Sequence, residues 1–221
     1  MNIAFVIAIR QEIGIDFLKK CNKKNINGVV IYSIKNGQNN FYLIFSGVGK
    51  TNAANAISFL INKLSVDKII NIGTCGANNK KLKYKDILLI HKAKYTDVDA
   101  TTFGYKIGQI PHEPLCFITS KKINKEIFNV VNKLNFKIIP NVSLGTADSF
   151  LSIKIKNNFS IHDVDAIDME GASCLQVANK YHIECSLIKL IADNKDGNEW
   201  KVNTLSISKI ISKIISEFIS Q

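Results

Sequence analysis

Asp165-Ala166-Ile167-Asp168-Met169-Glu170-Gly171-Ala172 is the stretch whose reading decides the fold. Ala166 and Ile167 are strand-like and Gly171 to Val177 is helix-like, so a short buried strand turns directly into a helix here. Two carboxylates, Asp168 and Glu170, stand at the junction. α/β sheets gather their ligand-binding groups where strands end. The same acids also suit a plain helix start, because a first turn favours negative charge. A second apolar run, Ser186-Leu187-Ile188-Lys189-Leu190-Ile191-Ala192-Asp193, likewise ends in an acid. If the two strands are neighbours, their terminal carboxylates form one pocket.

Outward from this point, strand-like and helix-like segments alternate. Asn2 to Ile9 reads as a first buried strand, followed by a helix through about Lys20, with Glu12 just past the strand end. Gly28–Ile34 and Asn40–Phe45 read as a hairpin turning at Asn36-Gly37. Ser46-Gly47-Val48-Gly49-Lys50-Thr51 opens a helix to Leu64 whose inward face is Ala54, Ile57, Leu60, Ile61 and Leu64. Gly49-Lys50-Thr51 is not a P-loop, since Ile44 stands where that motif requires glycine. The glycines and free amides at that helix start could still approach a ligand's oxygens. Asp67–Ile72 is a strand ending in a small-residue turn, Gly73-Thr74-Cys75-Gly76-Ala77. Lys85–Lys94 is strand-like, and Tyr95–Pro114 is a long irregular loop of the kind that carries function or an interface. A helix over Ser120–Leu134 buries Ile123, Ile127, Val130, Val131 and Leu134. A strand over Ile138–Leu144 runs into a turn from Gly145 to Leu151. The helix after Glu170 reaches about Tyr181, Glu184–Ala192 is a strand, and Asp193–Glu199 is a polar loop. Leu205–Ile219 carries an apolar stripe that suits packing on the sheet better than a membrane surface.

With 221 residues, 46% of them hydrophobic, and no repeat or linker, the chain reads as one domain over residues 1–221 with a mixed α/β layered fold. The net charge of +11 invites a nucleic-acid reading. Against it, Arg10 is the lone arginine and the lysines are scattered over many segments. The abundance of Lys, Asn and Ile matches AT-rich coding, so base composition accounts for the charge as well as any partner does. No run is long enough to span a bilayer and no signal pattern opens the chain, which points to the cytoplasm. Cys21, Cys75, Cys116, Cys174 and Cys185 are odd in number and lack C-x-x-C spacing, so they read as reduced. The four histidines have no metal-ligand spacing with them.

Ile9 to Glu12, Ser46-Gly47-Val48-Gly49-Lys50, Asn71-Ile72-Gly73-Thr74-Cys75-Gly76, Phe103-Gly104-Tyr105, Asp168-Met169-Glu170 and Ala192-Asp193 fall in a characteristic order and spacing. In these segments the chain resembles the nucleoside phosphorylase superfamily, and more closely the 5'-methylthioadenosine/S-adenosylhomocysteine nucleosidases. The resemblance runs nearly the full length. It departs at Ile9 (usually Met), Arg10 and Gln11 (usually acids), Thr74-Cys75 (usually Ser-Ala), Asp168 (usually Glu) and Ala192 (usually Ser).

The resemblance implies a three-layer α/β/α domain around a central mixed, twisted β-sheet. It also implies hydrolysis of the N-glycosidic bond of methylthioadenosine, S-adenosylhomocysteine and 5'-deoxyadenosine, without metal or organic cofactor. Asp193 would protonate the purine and Glu12 would activate water. Glu170 would hold the ribose hydroxyls, with Met169 beneath the sugar. Backbone groups of Phe150 and Leu151 would read the adenine edge, with Phe150 stacking, and Thr74, Gly76, Ile9 and Val48 would line the pocket. Phe103, Tyr105 and Pro111 would close the partner's site across a homodimer. Phosphorylases of the superfamily need cations for phosphate, and this chain has only Arg10 as a forked one. A phosphorylase, an aminodeoxyfutalosine nucleosidase and, from another class, a basic nucleic-acid-binding protein are the alternatives.

Overall fold

In the computed structural model, residues 1–150, 163–193 and 198–221 are described, with 193 and 198–205 as backbone alone. The strands are β1 (Asn2–Ile7), β2 (Asn22–Ile26), β3 (Val29–Asn36), β4 (Asn39–Phe45), β5 (Lys68–Ala77), β6 (Ile87–Tyr95), β7 (Phe117–Ile118), β8 (Ile138–Thr146), β9 (Ala166–Asp168) and β10 (Glu184–Asp193). The helices are α1 (Ile15–Leu18), α2 (Lys50–Leu64), α3 (Lys121–Lys133), α4 (Gly171–Lys180) and α5 (Asn198–Ile219). The strands make one mixed sheet in the order β10-β6-β8-β9-β5-β1-β4-β3-β2. A further pairing of β10 with β5 closes the first five strands into a ring.

The expected three layers are present, and they follow from alternation along buried strands. Ile3, Phe5 and Ile7 of β1 face one layer with Ile70, Ile188 and Leu190, covered by α3 and α5. Ala4 and Val6 face the other with Ile69, Leu187 and Ile191, covered by α2 and α4. The stripe on α5 (Ile207, Ile211, Ile214, Ile215, Phe218) is buried in the first layer, where Phe218 meets Phe5 edge-on with ring centroids 5.6 Å apart. That helix therefore packs on the sheet, as expected. All five cysteines are free, and burial pushes the thiols of Cys75, Cys174 and Cys185 well up, away from the reactive thiolate.

Several boundaries differ from the sequence reading. The helix expected through Lys20 is broken into a 3-10 turn, Arg10–Glu12, and the short α1, because Ile13 and Gly14 are extended. The inward face of α2 is Ala53, Ala56, Ile57 and Leu60 rather than one centred on Ala54 and Ile61. Two alanines let the helix approach its neighbours closely, and this outweighs the larger side chains. The supposed turn at Gly73–Ala77 is the second half of β5. Of the polar loop expected over Asp193–Glu199, Asp193 belongs to β10 and Asn198 and Glu199 to α5. The short strands β2 and β7 had no sequence signal. β9 and β10 are not neighbours either: Gly76 of β5 pairs with Ile167 of β9 on one edge and with Asp193 on the other.

Gly171 lets β9 turn straight into α4. A Cβ there would lie 2.6 Å from Leu144 Cδ2, 2.9 Å from Asp168 Oδ2 and 3.0 Å from Leu187 Cδ1. Gly171→Ala is expected to destabilise the fold by about 1–3 kcal/mol through overpacking, a fall of roughly 2–10 °C in melting temperature. Calorimetry finding no change would show that those three side chains relax freely.

Candidate active site

The site begins as a gap in strand pairing. β1 pairs with β5 as far as Asn71, and β9 starts pairing at Gly76. Both lie on the edge opposite β10, which pairs with Lys68 and with Gly76 alike. Residues 72–75 therefore have no strand partner on that edge. β1 runs parallel to β5 and β9 runs antiparallel to it, so the two strands point their ends at each other across the gap.

Glu12, on the 3-10 turn after β1, fills this opening. Its Oε1 accepts the Thr74 backbone N–H at 2.7 Å and the Thr74 hydroxyl at 2.6 Å. Its Oε2 accepts the Ile9 N–H at 3.4 Å, the backward reach of a capping box. A Cβ on Gly73 would lie 3.1 and 3.2 Å from the two carboxylate oxygens, so a glycine allows the carboxylate to rest on the strand. Glu12 is only 2% exposed.

The other side of the gap is built on Asp168. Its Oδ1 accepts the Thr146 hydroxyl at 2.6 Å, and its Oδ2 accepts the Gly171 N–H at 2.8 Å. Oδ2 also pairs with the ammonium of Lys189 on β10 at 2.8 Å, with both side chains nearly inaccessible. Burial pulls the Lys189 ammonium toward neutrality, but Asp168, Glu170 and Glu12 outweigh it and hold the group charged. Removing one partner of such a pair costs roughly 3–5 kcal/mol, because the other charge stays buried.

Glu170 follows two residues later, 5% exposed, and its Oε1 accepts the Gly49 N–H at 3.0 Å. Burial first, then the neighbouring Asp168, push this carboxyl up to about 7, against the opposing pull of Lys189 and the Gly49 amide. Glu12, Asp168, Glu170 and Lys189 thus form one buried group of three carboxylates and one ammonium.

The remaining expected residues divide. Ile9 and Thr74 are half-buried beside Glu12, Met169 is half-buried between Asp168 and Glu170, and Gly76 lies where β9 and β10 meet β5. Val48 is 44% exposed and adjoins Gly49; Phe150 is 50% exposed, four residues beyond Thr146. The backbone of Asp193 stands opposite Gly76, after a register shift that falls at Ala192. Leu151 lies outside the described residues, as does the side chain of Asp193. Phe103 is 78% exposed and Pro111 is exposed, while the Tyr105 hydroxyl meets His112 Nδ1 at 3.5 Å.

Lys189 and Thr146 were missed by sequence reasoning. A lysine inside an apolar run was the available signal for the first, since such a charge needs a buried partner. The amides at the start of α2, expected to be free for a ligand, are taken by carboxylates: Gly49 N–H by Glu170, and Lys50 N–H by Asp148 Oδ1 at 2.7 Å. Asn71 is buried with its amide donating to the Val6 carbonyl at 3.1 Å. Arg10 donates to the Ile13 carbonyl at 2.9 Å and lies over the Phe45 ring. Among the described residues, no group of three His, Cys, Asp or Glu side chains is placed to hold a metal ion.

Residues 7–220 match the phosphorylase superfamily. A 5'-methylthioadenosine/S-adenosylhomocysteine nucleosidase of Buchnera aphidicola subsp. Schizaphis graminum is 33% identical over 235 aligned positions, covering 100% of this chain and 99% of the relative. The crystal structure of the nucleosidase of the same description from Campylobacter jejuni superposes with a TM-score of 0.87 at 26% identity, over all of both chains. The futalosine hydrolase of Helicobacter pylori shares the fold at TM-score 0.91 and 22% identity, covering 100% of this chain and 97% of its own.

The raised Glu170 carboxyl has a consequence for stability. Between its ordinary value and about 7 the folded form binds more protons than the unfolded chain, so this residue's contribution to stability falls as pH rises through that window. Glu170→Gln keeps an oxygen for the Gly49 amide and loses the charge. It is expected to gain about 1–3 kcal/mol on the wild type between pH 5 and pH 8. Denaturant midpoints that keep a constant gap across that range would show that Glu170 is an ordinary carboxylate.

Proposed function

The chain belongs to the phosphorylase superfamily and, within it, to the 5'-methylthioadenosine/S-adenosylhomocysteine nucleosidases, and from that membership we propose that it hydrolyses the N-glycosidic bond of methylthioadenosine and S-adenosylhomocysteine. Adenine and a 5-thio-substituted ribose are the products. The whole chain, 1–221, acts as one nucleosidase domain in the cytoplasm. Among the described residues no helix is long and apolar enough to cross a membrane.

The observation that carries hydrolysis over phosphorolysis is the charge of the site. Three buried carboxylates surround one ammonium, which is already paired. The Arg10 guanidinium is engaged by a carbonyl and an aromatic face, and the α2 amides hold carboxylates. A phosphate dianion would meet net negative charge and no forked cation. A ribose losing its base develops positive charge, and fixed negative groups stabilise it as it forms.

Glu12 is the base that orients and deprotonates the attacking water. Thr74 holds one of its oxygens with two hydrogen bonds, which fixes the carboxylate for that task. Glu170 accepts the ribose hydroxyls, with Met169 beneath the sugar. Asp193 gives a proton to purine N7 as the base departs. Its backbone stands opposite Gly76, two residues beyond Thr74, or about 7 Å along β5. Acid and base therefore flank one stretch of a single strand. Phe150 stacks on the adenine, backbone groups of Phe150 and Leu151 read its edge, and Ile9, Val48, Thr74 and Gly76 complete the wall.

Asp193→Asn should lower turnover roughly 100–10,000-fold while substrate still binds, and Glu12→Gln should do the same. Adenine release from methylthioadenosine should proceed equally with and without phosphate. A dependence on phosphate, or wild-type turnover in either variant, would remove the assignment. Faster cleavage of aminodeoxyfutalosine would redirect it within the superfamily.

The assembly is a homodimer with shared sites. Phe103, 78% exposed, stands on a loop whose Gly108 is pinned by its N–H to the Val98 carbonyl at 2.8 Å. An exposed aromatic on a fastened loop suits a covered interface. Together with Tyr105 and Pro111 it closes the partner's 5'-thio pocket. Phe103→Ala should weaken methylthioadenosine binding severalfold and leave adenine binding unchanged. Calorimetric titration showing equal losses, or sedimentation of a fully active monomer, would refute this arrangement.

A further inference from the structure

Helix α2 begins without a cap of its own. Gly49 at its N-cap has no side chain to offer, and its φ of +99° favours glycine. The caps come from distant segments. Gly49 N–H is held by Glu170 at 3.0 Å, and the next amide, Lys50 N–H, by Asp148 Oδ1 at 2.7 Å. The Lys50 ammonium lies 2.7 Å from Asp97 Oδ2 and 3.7 Å from Asp148 Oδ2, above the Tyr95 ring at 5.4 Å. Asp97 Oδ2 also accepts the Asp148 N–H at 2.9 Å. Asp148 is thus held through its own amide and both carboxylate oxygens. A Cβ on Gly49 would come within 3.0 Å of Asp148 Oδ1.

We propose that Lys50, Asp97 and Asp148 form a clamp that sets the purine-facing loop against the ribose-facing loop, which makes Asp148 a positioning residue for the adenine half of the substrate. Two consecutive amides of one helix hold the two halves of the site. Glu170, the ribose acceptor, sits on the first, and Asp148, two residues before Phe150, sits on the second. Their separation is therefore fixed by the geometry of a single peptide unit. Cleavage of a bond between purine and ribose depends on holding these two parts in one relative placement. Asp97 opens the loop that leads to Phe103, so the same lysine also anchors the root of the 5' wall. Asp148 is half-exposed, with 48% of its side chain accessible, and ion pairs so placed contribute little to global stability. The consequence of the clamp is alignment.

This inference rests on the adenine role of Phe150, and the experiment separates the two. In Phe150→Ala, a rise in the inhibition constant of adenine establishes that role; an unchanged constant overturns it and the clamp with it. In Asp148→Ala, the KM for methylthioadenosine and the inhibition constant of adenine should rise together by roughly tenfold, the loss expected of one charge-assisted hydrogen bond. The kcat should stay within about threefold and the melting temperature within a few degrees. Asp148→Asn keeps an oxygen for the Lys50 amide and should recover most of the loss. Lys50→Met should raise the adenine inhibition constant in the same direction. An unchanged adenine constant in Asp148→Ala, or a loss confined to kcat, overturns the clamp. Collapse of both Asp148→Ala and Lys50→Met on heating, with the Asn variant no better, would make the cluster purely structural and overturn it as well.

Discussion

A backbone amide inside a protein must find an acceptor. The two strands that share one edge of β5 stop four residues short of each other. Thr74 lies within that interval, and its N–H is satisfied by a side chain, Glu12, rather than by a strand. This one substitution of a carboxylate for a carbonyl organises the site. It requires a turn after β1 tight enough to send Glu12 back to the sheet, and the 3-10 turn at Arg10–Glu12 supplies it. It requires no side chain at position 73. It also leaves a buried carboxylate fixed by three donors in a gap lined by backbone.

The ring of five strands explains why a charged pair can lie in the interior. β10 brings Lys189 from one side and β9 brings Asp168 from the other, and the closed ring excludes water from both. Asp168 accepts from Lys189, Thr146 and the Gly171 amide, so its desolvation is offset by three donors. Lys189 opposes the charge of Asp168 directly and that of Glu170 at longer range. Without this ammonium the carboxylates would stand together unbalanced, and at least one would take up a proton. The pair thus connects the sheet's closure to the ionisation of the groups above it.

Much of this was legible in the sequence. The 3.6-residue pattern over Lys121–Lys133 gave both the helix and its buried face, and Ser120 caps it by accepting from the Ile123 N–H. The apolar stripe of α5 was equally plain. Gly171 to Ala172 after Asp168-Met169-Glu170 gave the strand-to-helix junction. What stayed hidden was non-local. The direction of β9 against β5 depends on partners about 90 residues apart, and no periodicity encodes it. Gly73-Thr74-Cys75-Gly76 has turn-like composition, yet it is strand, because β10 pairs with each of these residues along its other edge. Lys189 passed as one more residue of an apolar run, since its three carboxylate neighbours come from two other segments.

Glu170 shows what the arrangement demands. It caps α2 through Gly49 and so belongs to the scaffold, yet burial and Asp168 raise its carboxyl to about 7, which is a destabilising setting for a carboxylate. A glutamine would cap the same amide without that penalty. A carboxylate is retained where a neutral residue would fold better, and such conflicts mark positions kept for function. In the role proposed for Glu170, the need is for an acceptor that carries charge when a ribose becomes cationic beside it. Its raised proton affinity is the cost of keeping three acids around one ammonium, and the same excess of negative charge turns the site away from phosphate and toward water.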